Sequence, residues 1–153
     1  MTQNVNLAIV VSQFNSEVTQ KMLEQALKRS NELGATVTHI CKVPGSFDMP
    51  IIIQDLLEKE NVDAVATLGA ILQGETAHDQ IIAATLSNQI STLSTKLKKP
   101  VTLGVSGPRE NIHQAQSRAE EYATRSVEAA VKLVKLRRDI SKQNDHTRPV
   151  IAE

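Results

Sequence analysis

The stretch "DAVATLGAILQGETAHDQ" (residues 63–80) decides how the chain is read. Its first seven residues are apolar enough, and β-branched enough, to predict a strand buried on both faces, as in a parallel sheet. A glycine-bearing loop follows. From about residue 76 to 98 the apolar positions take up helical spacing, with Ile82, Leu86, Ile90, Leu93 and Leu97 facing inward.

The same alternation extends in both directions. "NLAIVVS" (residues 6–12) predicts a first strand. A helix then runs from Ser16, taken as its N-cap, to Leu33, with Val18, Met22, Ala26 and Leu27 on one face and Gly34 as its stop. "TVTHICKV" (residues 36–43) predicts a second strand, "PGSFD" a loop, and Pro50 the first turn of a helix reaching Glu60. "PVTLGVS" (residues 100–106) predicts a fourth strand. After "GPREN" a last helix carries Val127, Ala130, Val131 and Val134 on one side. Four βα units in succession predict an α/β fold, a three-layer α/β/α sandwich around a four-stranded parallel sheet. One domain over residues 1–140 and a polar, fraying tail over 141–153 are expected.

Composition narrows the partners. Seventeen basic residues balance seventeen acidic ones, and no basic stripe precedes residues 132–138, so neither nucleic acid nor an anionic membrane is the expected partner. The single cysteine, Cys41, excludes an internal disulfide, fits a reducing cytoplasm and reads as a small buried residue. No N-terminal run is apolar for long enough to be a signal peptide or a membrane span. Phe14, Phe47 and Tyr122 are all the aromatic residues there are, so the core must be aliphatic.

Ligands of open α/β sheets sit beyond the carboxyl ends of the strands, among helix N-termini. Four loops meet there: "SQFNS", "VPGSFD", "LGAILQGETAH" and "SGPREN". Both phenylalanines lie in them, which points to a planar ligand. Phe14 before Asn15 and Phe47 before Asp48 could each stack on, and hydrogen-bond to, a heterocycle. A phenylalanine plugging a loop is the plainer alternative, and it suits Phe47 better than Phe14.

The third loop has the spacing of a Walker A phosphate loop, with Gly69, Gly74 and Thr76 in place but Glu75 where the lysine belongs. A nucleoside triphosphate would lose its main partner there. A single phosphate held by the Gly74 backbone and the Thr76 hydroxyl, with Glu75 turned outward and a basic partner such as Arg118 or Arg125, is the economical reading. A simple turn and helix cap fits the same spacing equally well. His78 falls in the first helical turn, where the dipole favours neutral imidazole and a proton could be taken up or given back. A half-exposed surface histidine is the alternative. His39, His113 and His146 make no metal-ligand spacing, and no metal is expected.

Taken together, "FN", "VPGSFDMP", "LGAILQGETAHD" and "PVTLGVSGP…QAQSRAE" resemble the 6,7-dimethyl-8-ribityllumazine synthases, over residues 6–136 and nearest to the archaeal members. The G-E-T-x-H-D block combined with V-P-G-x-F-[DE]-x-P is what makes the match specific. The resemblance implies a flavodoxin-like fold and a cytoplasmic enzyme of riboflavin biosynthesis that needs no cofactor. It implies roles as well. Phe14 would stack on the pyrimidine substrate beside Asn15, while Ser46, Phe47 and Asp48 would receive its ribityl chain. Gly74 and Thr76 would hold the phosphate of the second substrate together with Arg118, Glu75 would belong to the same substrate-binding loop, and His78 would transfer protons.

Three positions depart from the family pattern. Asp48 is one methylene shorter than the usual glutamate. Leu103 stands where many members place an aromatic against a neighbouring subunit's substrate, a stack worth ~1 kcal/mol. Arg125 falls where bacterial members carry a lysine, after a one-residue shortening of "AEEYATR". A homo-pentamer is implied, either alone or assembled into a decamer or a 60-subunit icosahedral shell. The related archaeal riboflavin synthase is the rival enzyme, but its chemistry has no use for a phosphate loop. A non-catalytic lumazine-binding shell protein is the rival from outside enzymology.

Overall fold

The computed structural model describes residues 4–142 and 144–153. Five strands, β1 (Asn6–Ser12), β2 (Thr36–Val43), β3 (Ala64–Ala70), β4 (Val101–Thr102) and β5 (Val105–Ser106), alternate with α1 (Ser16–Glu32), α2 (Met49–Leu57), α3 (His78–Leu97) and α4 (Ile112–Ile140). All pairings are parallel, in the order β2-β1-β3-β4, with β5 also paired to β3.

Side-chain alternation along β1 and β3 explains the three layers. Leu7, Ile9 and Val11 of β1, with Ala64, Ala66 and Leu68 of β3, pack under α1 and α4. Ala8, Val10 and Val65 point the other way, under α2 and α3. Both strands are therefore apolar without interruption, and each fully buried Val, Leu or Ile contributes about 1.5–3 kcal/mol. The face under α4 is filled by Ala115, Ala119, Ala123 and Ala130, whose small side chains bring the helix close to the sheet.

The predicted fourth strand is broken at Leu103 and Gly104. Hydroxyl groups cause the break. Thr67 Oγ1 donates to the Thr102 carbonyl at 2.6 Å and accepts the Gly104 N–H at 3.1 Å, so a side chain occupies the place of ladder partners. Ser126 of α4 seals the gap by donating to the Thr67 carbonyl at 3.0 Å. An added Cβ on Gly104 would stand 2.2 Å from that same carbonyl, so only glycine fits.

Three smaller expectations also shift. Asn15, not Ser16, is the N-cap of α1, and it adopts the left-handed conformation (φ 61°). A 3-10 turn over Ser46–Asp48 precedes α2, which begins one residue before Pro50. Cys41 is only half-buried, because β2 is the edge strand. Beyond Ile140 the described residues form neither helix nor strand.

Candidate active site

The loops after β1 and β2 are laced together. Gln13 N–H donates to the Val43 carbonyl at 2.8 Å and Phe14 N–H to the Pro44 carbonyl at 3.1 Å. The Phe14 ring rests on Gly45, where a Cβ would lie 2.9 Å from the ring edge, yet the side chain remains 67% exposed. A large apolar ring held in place but left open to solvent is poised for something planar. Asn15 turns the chain into α1, and its Nδ2 donates to the Ala70 carbonyl at the end of β3 at 3.0 Å.

Gly45 also organises the 3-10 turn. Its N–H donates to Asp48 Oδ2 at 2.9 Å, and its carbonyl accepts the Asp48 N–H at 3.0 Å. Ser46 is buried with its hydroxyl against the Cα of Gly69, where a Cβ would come within 2.9 Å. Phe47, on the same turn, is exposed.

Residues 73–77 between β3 and α3, and His78 at the start of α3, are all exposed, and a Cβ on Gly74 would meet nothing within 4 Å. Thr76 Oγ1 accepts the His78 N–H at 3.3 Å, at the opening of a 20-residue helix whose first turn leaves N–H groups free. Asp79 is buried. Its Oδ2 accepts the Arg109 N–H at 2.9 Å, while Oδ1 has no partner among the described residues.

These elements enclose a cleft of about 310 Å³, lined by Phe14, Asn15, Ser46, Ile71, His78 and Asp79 among others. A neighbouring hollow of about 430 Å³ is lined by Phe47, Asp48, Pro50, Ile51, Thr85 and Gln89. Four expected site residues thus share one cleft, and two more share the hollow beside it. Gly74, Glu75, Thr76, Leu103, Arg118 and Arg125 line neither. Leu103 is exposed at the strand break. Arg125 pairs with Glu121 at 3.2 Å on the solvent side of α4, a bridge of little energetic weight. Arg118 Nη1 reaches Glu110 Oε2 at 3.3 Å.

Glu110 and Asp79 escaped the sequence reading. Each is a single acidic residue in a loop or a first helical turn, where solvated carboxylates are common. Only the fold shows that both are buried. Among the described residues no group of three or more His, Cys, Asp or Glu converges in the way a metal ion needs.

The family model for 6,7-dimethyl-8-ribityllumazine synthase matches residues 4–138. The chain belongs to that family. It is 48% identical to the 6,7-dimethyl-8-ribityllumazine synthase of Saccharolobus islandicus over 99% of this chain and 98% of that one. It is 50% identical to the synthase of Pyrobaculum arsenaticum over 89% of this chain and 91% of the relative. The synthase of Saccharolobus solfataricus is 47% identical over 99% and 98%. The three-layer parallel fold and the clustered loops described above are therefore those of a lumazine synthase-family enzyme.

Proposed function

We propose that the cleft between Phe14 and His78 is where this enzyme of riboflavin biosynthesis joins 5-amino-6-(D-ribitylamino)uracil to 3,4-dihydroxy-2-butanone 4-phosphate. The products are 6,7-dimethyl-8-ribityllumazine, phosphate and water. One observation carries the assignment: a braced but exposed aromatic ring, a side-chain amide and an imidazole line one cleft of about 310 Å³. Phe14 offers a stacking face to the pyrimidine. The ribityl chain runs past Ser46 toward the Phe47 and Asp48 hollow. There Asp48 commits Oδ2 to Gly45 and keeps its other oxygen for hydroxyl donors.

The phosphate of the butanone sits at the opening of α3, on the N–H groups after Gly74 and the Thr76 hydroxyl. Arg118 supplies the compensating charge, and Glu75 stays in solvent. The substrate amine attacks the ketone carbon, the carbonyl oxygen takes up a proton, and water leaves to give the imine. Loss of a carbon-bound proton then drives the electron pair toward the phosphate-bearing carbon, and its C–O bond to phosphate breaks. This leaves an enol, which tautomerises so that the hydroxyl-bearing carbon becomes a new carbonyl and the former phosphate-bearing carbon a methyl group. The second nitrogen closes the ring on that new carbonyl, with loss of another water. His78 carries the protons at these steps, worth about 10²-fold or more, and holding both substrates together supplies most of the remaining rate.

The assembly belongs to the same proposal. Leu103, Arg118 and Arg125 lie outside the cleft of their own chain, and Phe47, Ile51, Ile81 and Leu103 expose large apolar surfaces. A homo-pentamer in which α4 and Leu103 of one copy face the cleft of the next satisfies both observations. A decamer or a 60-subunit shell would be built from that ring. Cytoplasmic residence is proposed from the lone, unpaired Cys41.

The test mixes purified protein with both substrates and follows lumazine fluorescence and released phosphate together. Both should rise in step with the native chain and slow about 10²-fold with His78→Ala. Native turnover by that variant would remove the histidine from the mechanism. Conversion of added lumazine to riboflavin, with no phosphate-dependent synthesis, would move the function to the rival enzyme.

A further inference from the structure

Glu110 is the most deeply buried acidic residue described, with no exposed side-chain surface, and nothing in the reaction above uses it. Three contacts hold it. Ser106 Oγ donates to Oε1 at 2.5 Å, and Arg118 Nη1 donates to Oε2 at 3.3 Å. Its backbone carbonyl accepts the Gln73 N–H at 2.8 Å. Gln73 is the residue before Gly74. One residue therefore touches both elements assigned to the phosphate: the arginine through its carboxylate and the loop through its carbonyl.

A carboxylate is seldom left buried without good reason, since desolvating it costs more than a surface pair returns. Here the arginine is 43% exposed while its partner is fully enclosed. The anchored end is the glutamate, and the adjustable end is the guanidinium. Arginine has five N–H donors, so with Nη1 on Glu110 the others remain for an anion. Ser106 fixes the rotation of the carboxylate, which fixes the direction from which the guanidinium is held. Without this tether the long side chain of Arg118 would sample many rotamers.

We propose that Glu110 is a positioning residue for phosphate: its buried carboxylate aims Arg118, without touching substrate itself. This rests on the assignment of Arg118 to the phosphate of the butanone, and it holds whether the site served belongs to the same chain or to the next copy in the ring. The signature is a selective one. Binding of the phosphorylated substrate and of inorganic phosphate should weaken, while binding of the pyrimidine should not change.

The experiment uses the full-length assembled enzyme and compares Glu110→Gln, Arg118→Ala and the double variant. Glutamine keeps the shape and a bond to Ser106 but removes the charge facing Arg118. Steady-state kinetics would give KM for each substrate, and inorganic phosphate would serve as the inhibitor probe. Glu110→Gln is expected to raise KM for the butanone phosphate, and the inhibition constant of phosphate, by about tenfold. KM for the pyrimidine should stay within twofold of native. In the Arg118→Ala background the Glu110 change should add nothing further to either value, because its effect passes through the arginine. If Arg118→Ala raises KM for the butanone phosphate but Glu110→Gln does not, the positioning role is overturned and the site assignment stands. If Arg118→Ala leaves that KM unchanged, the assignment itself falls and the proposal falls with it. Tighter phosphate binding by Glu110→Gln would mean that the glutamate competes with phosphate, which also overturns the proposal. Should Glu110→Gln not melt cooperatively, Glu110→Asp takes its place. It keeps the charge but withdraws the carboxylate by one methylene, and the same selective rise in KM is expected.

Discussion

The Asn15 side chain donates from Nδ2 to the carbonyl of Ala70 at 3.0 Å, joining the loop after β1 to the end of β3. Asn15 does so from a left-handed backbone conformation, φ 61° and ψ 49°, which asparagine tolerates better than most residues. The same residue therefore starts α1, ties two loops and presents Phe14. Asn15→Ala should cost about 2 kcal/mol, roughly half from the backbone and half from the lost bond. Asn15→Gly loses the bond but relieves the backbone, so it should stay within about 1 kcal/mol of native. Urea melts of the three proteins test this order, and equal losses in both variants would show that backbone strain plays no part.

Phe14 is expected to contribute little to folding and more to binding the pyrimidine. With the side chain 67% exposed, Phe14→Ala should change stability by no more than about 0.5 kcal/mol. Removing a stacking face should raise KM for the pyrimidine by about fivefold or more, corresponding to roughly 1 kcal/mol. KM for the butanone phosphate should hold. A melting temperature several degrees lower, with unaltered KM, would mark the ring as a structural plug, the plainer alternative for a loop phenylalanine.

The layers were legible in the sequence because β1 and β3 are apolar on both faces, and only a central parallel strand buries both. Helix periodicity identified the inward faces of α1, α3 and α4 for the same reason. The broken fourth strand was not legible. "PVTLGVS" has strand character throughout, and the interruption is imposed by Thr67 and Ser126, which come from elsewhere in the chain. At the site, loop motifs named Phe14, Asn15, Ser46 and His78, and the fold gathers them into one cleft. Glu110 stayed hidden because burial is a tertiary property and its loop gives no sign of it. Asp48 and Arg118 could be named from their motifs, but not the partners that hold them.

Cys41 offers a check on the edge strand. Burial pushes its thiol pKa up from the usual value. A raised pKa leaves less thiolate at a given pH, so alkylation at pH 8 should be slower than for a free cysteine. The native state prefers the protonated thiol, and the small stability this brings is present below the ordinary thiol pKa and lost as pH rises through the native value. Reaction in denaturing urea should recover the rate of the free amino acid. A native chain that reacts as fast as free cysteine would place Cys41 in solvent.

Two glycines separate folding from function more sharply. A Cβ on Gly104 would stand 2.2 Å from the Thr67 carbonyl and 2.6 Å from Ser126 Cβ, in a region with no free volume. Gly104→Ala must push α4 or β3 away, and a loss on the order of 3 kcal/mol or more is expected. At Gly74 a Cβ meets nothing within 4 Å, so Gly74→Ala should melt like the native chain. If the loop exists to let backbone approach a phosphate, that variant should nevertheless raise KM for the butanone phosphate and spare KM for the pyrimidine. Full activity in a stable Gly74→Ala variant would reduce the loop to a turn and a helix cap, and the phosphate would have to be sought elsewhere on the carboxyl edge of the sheet.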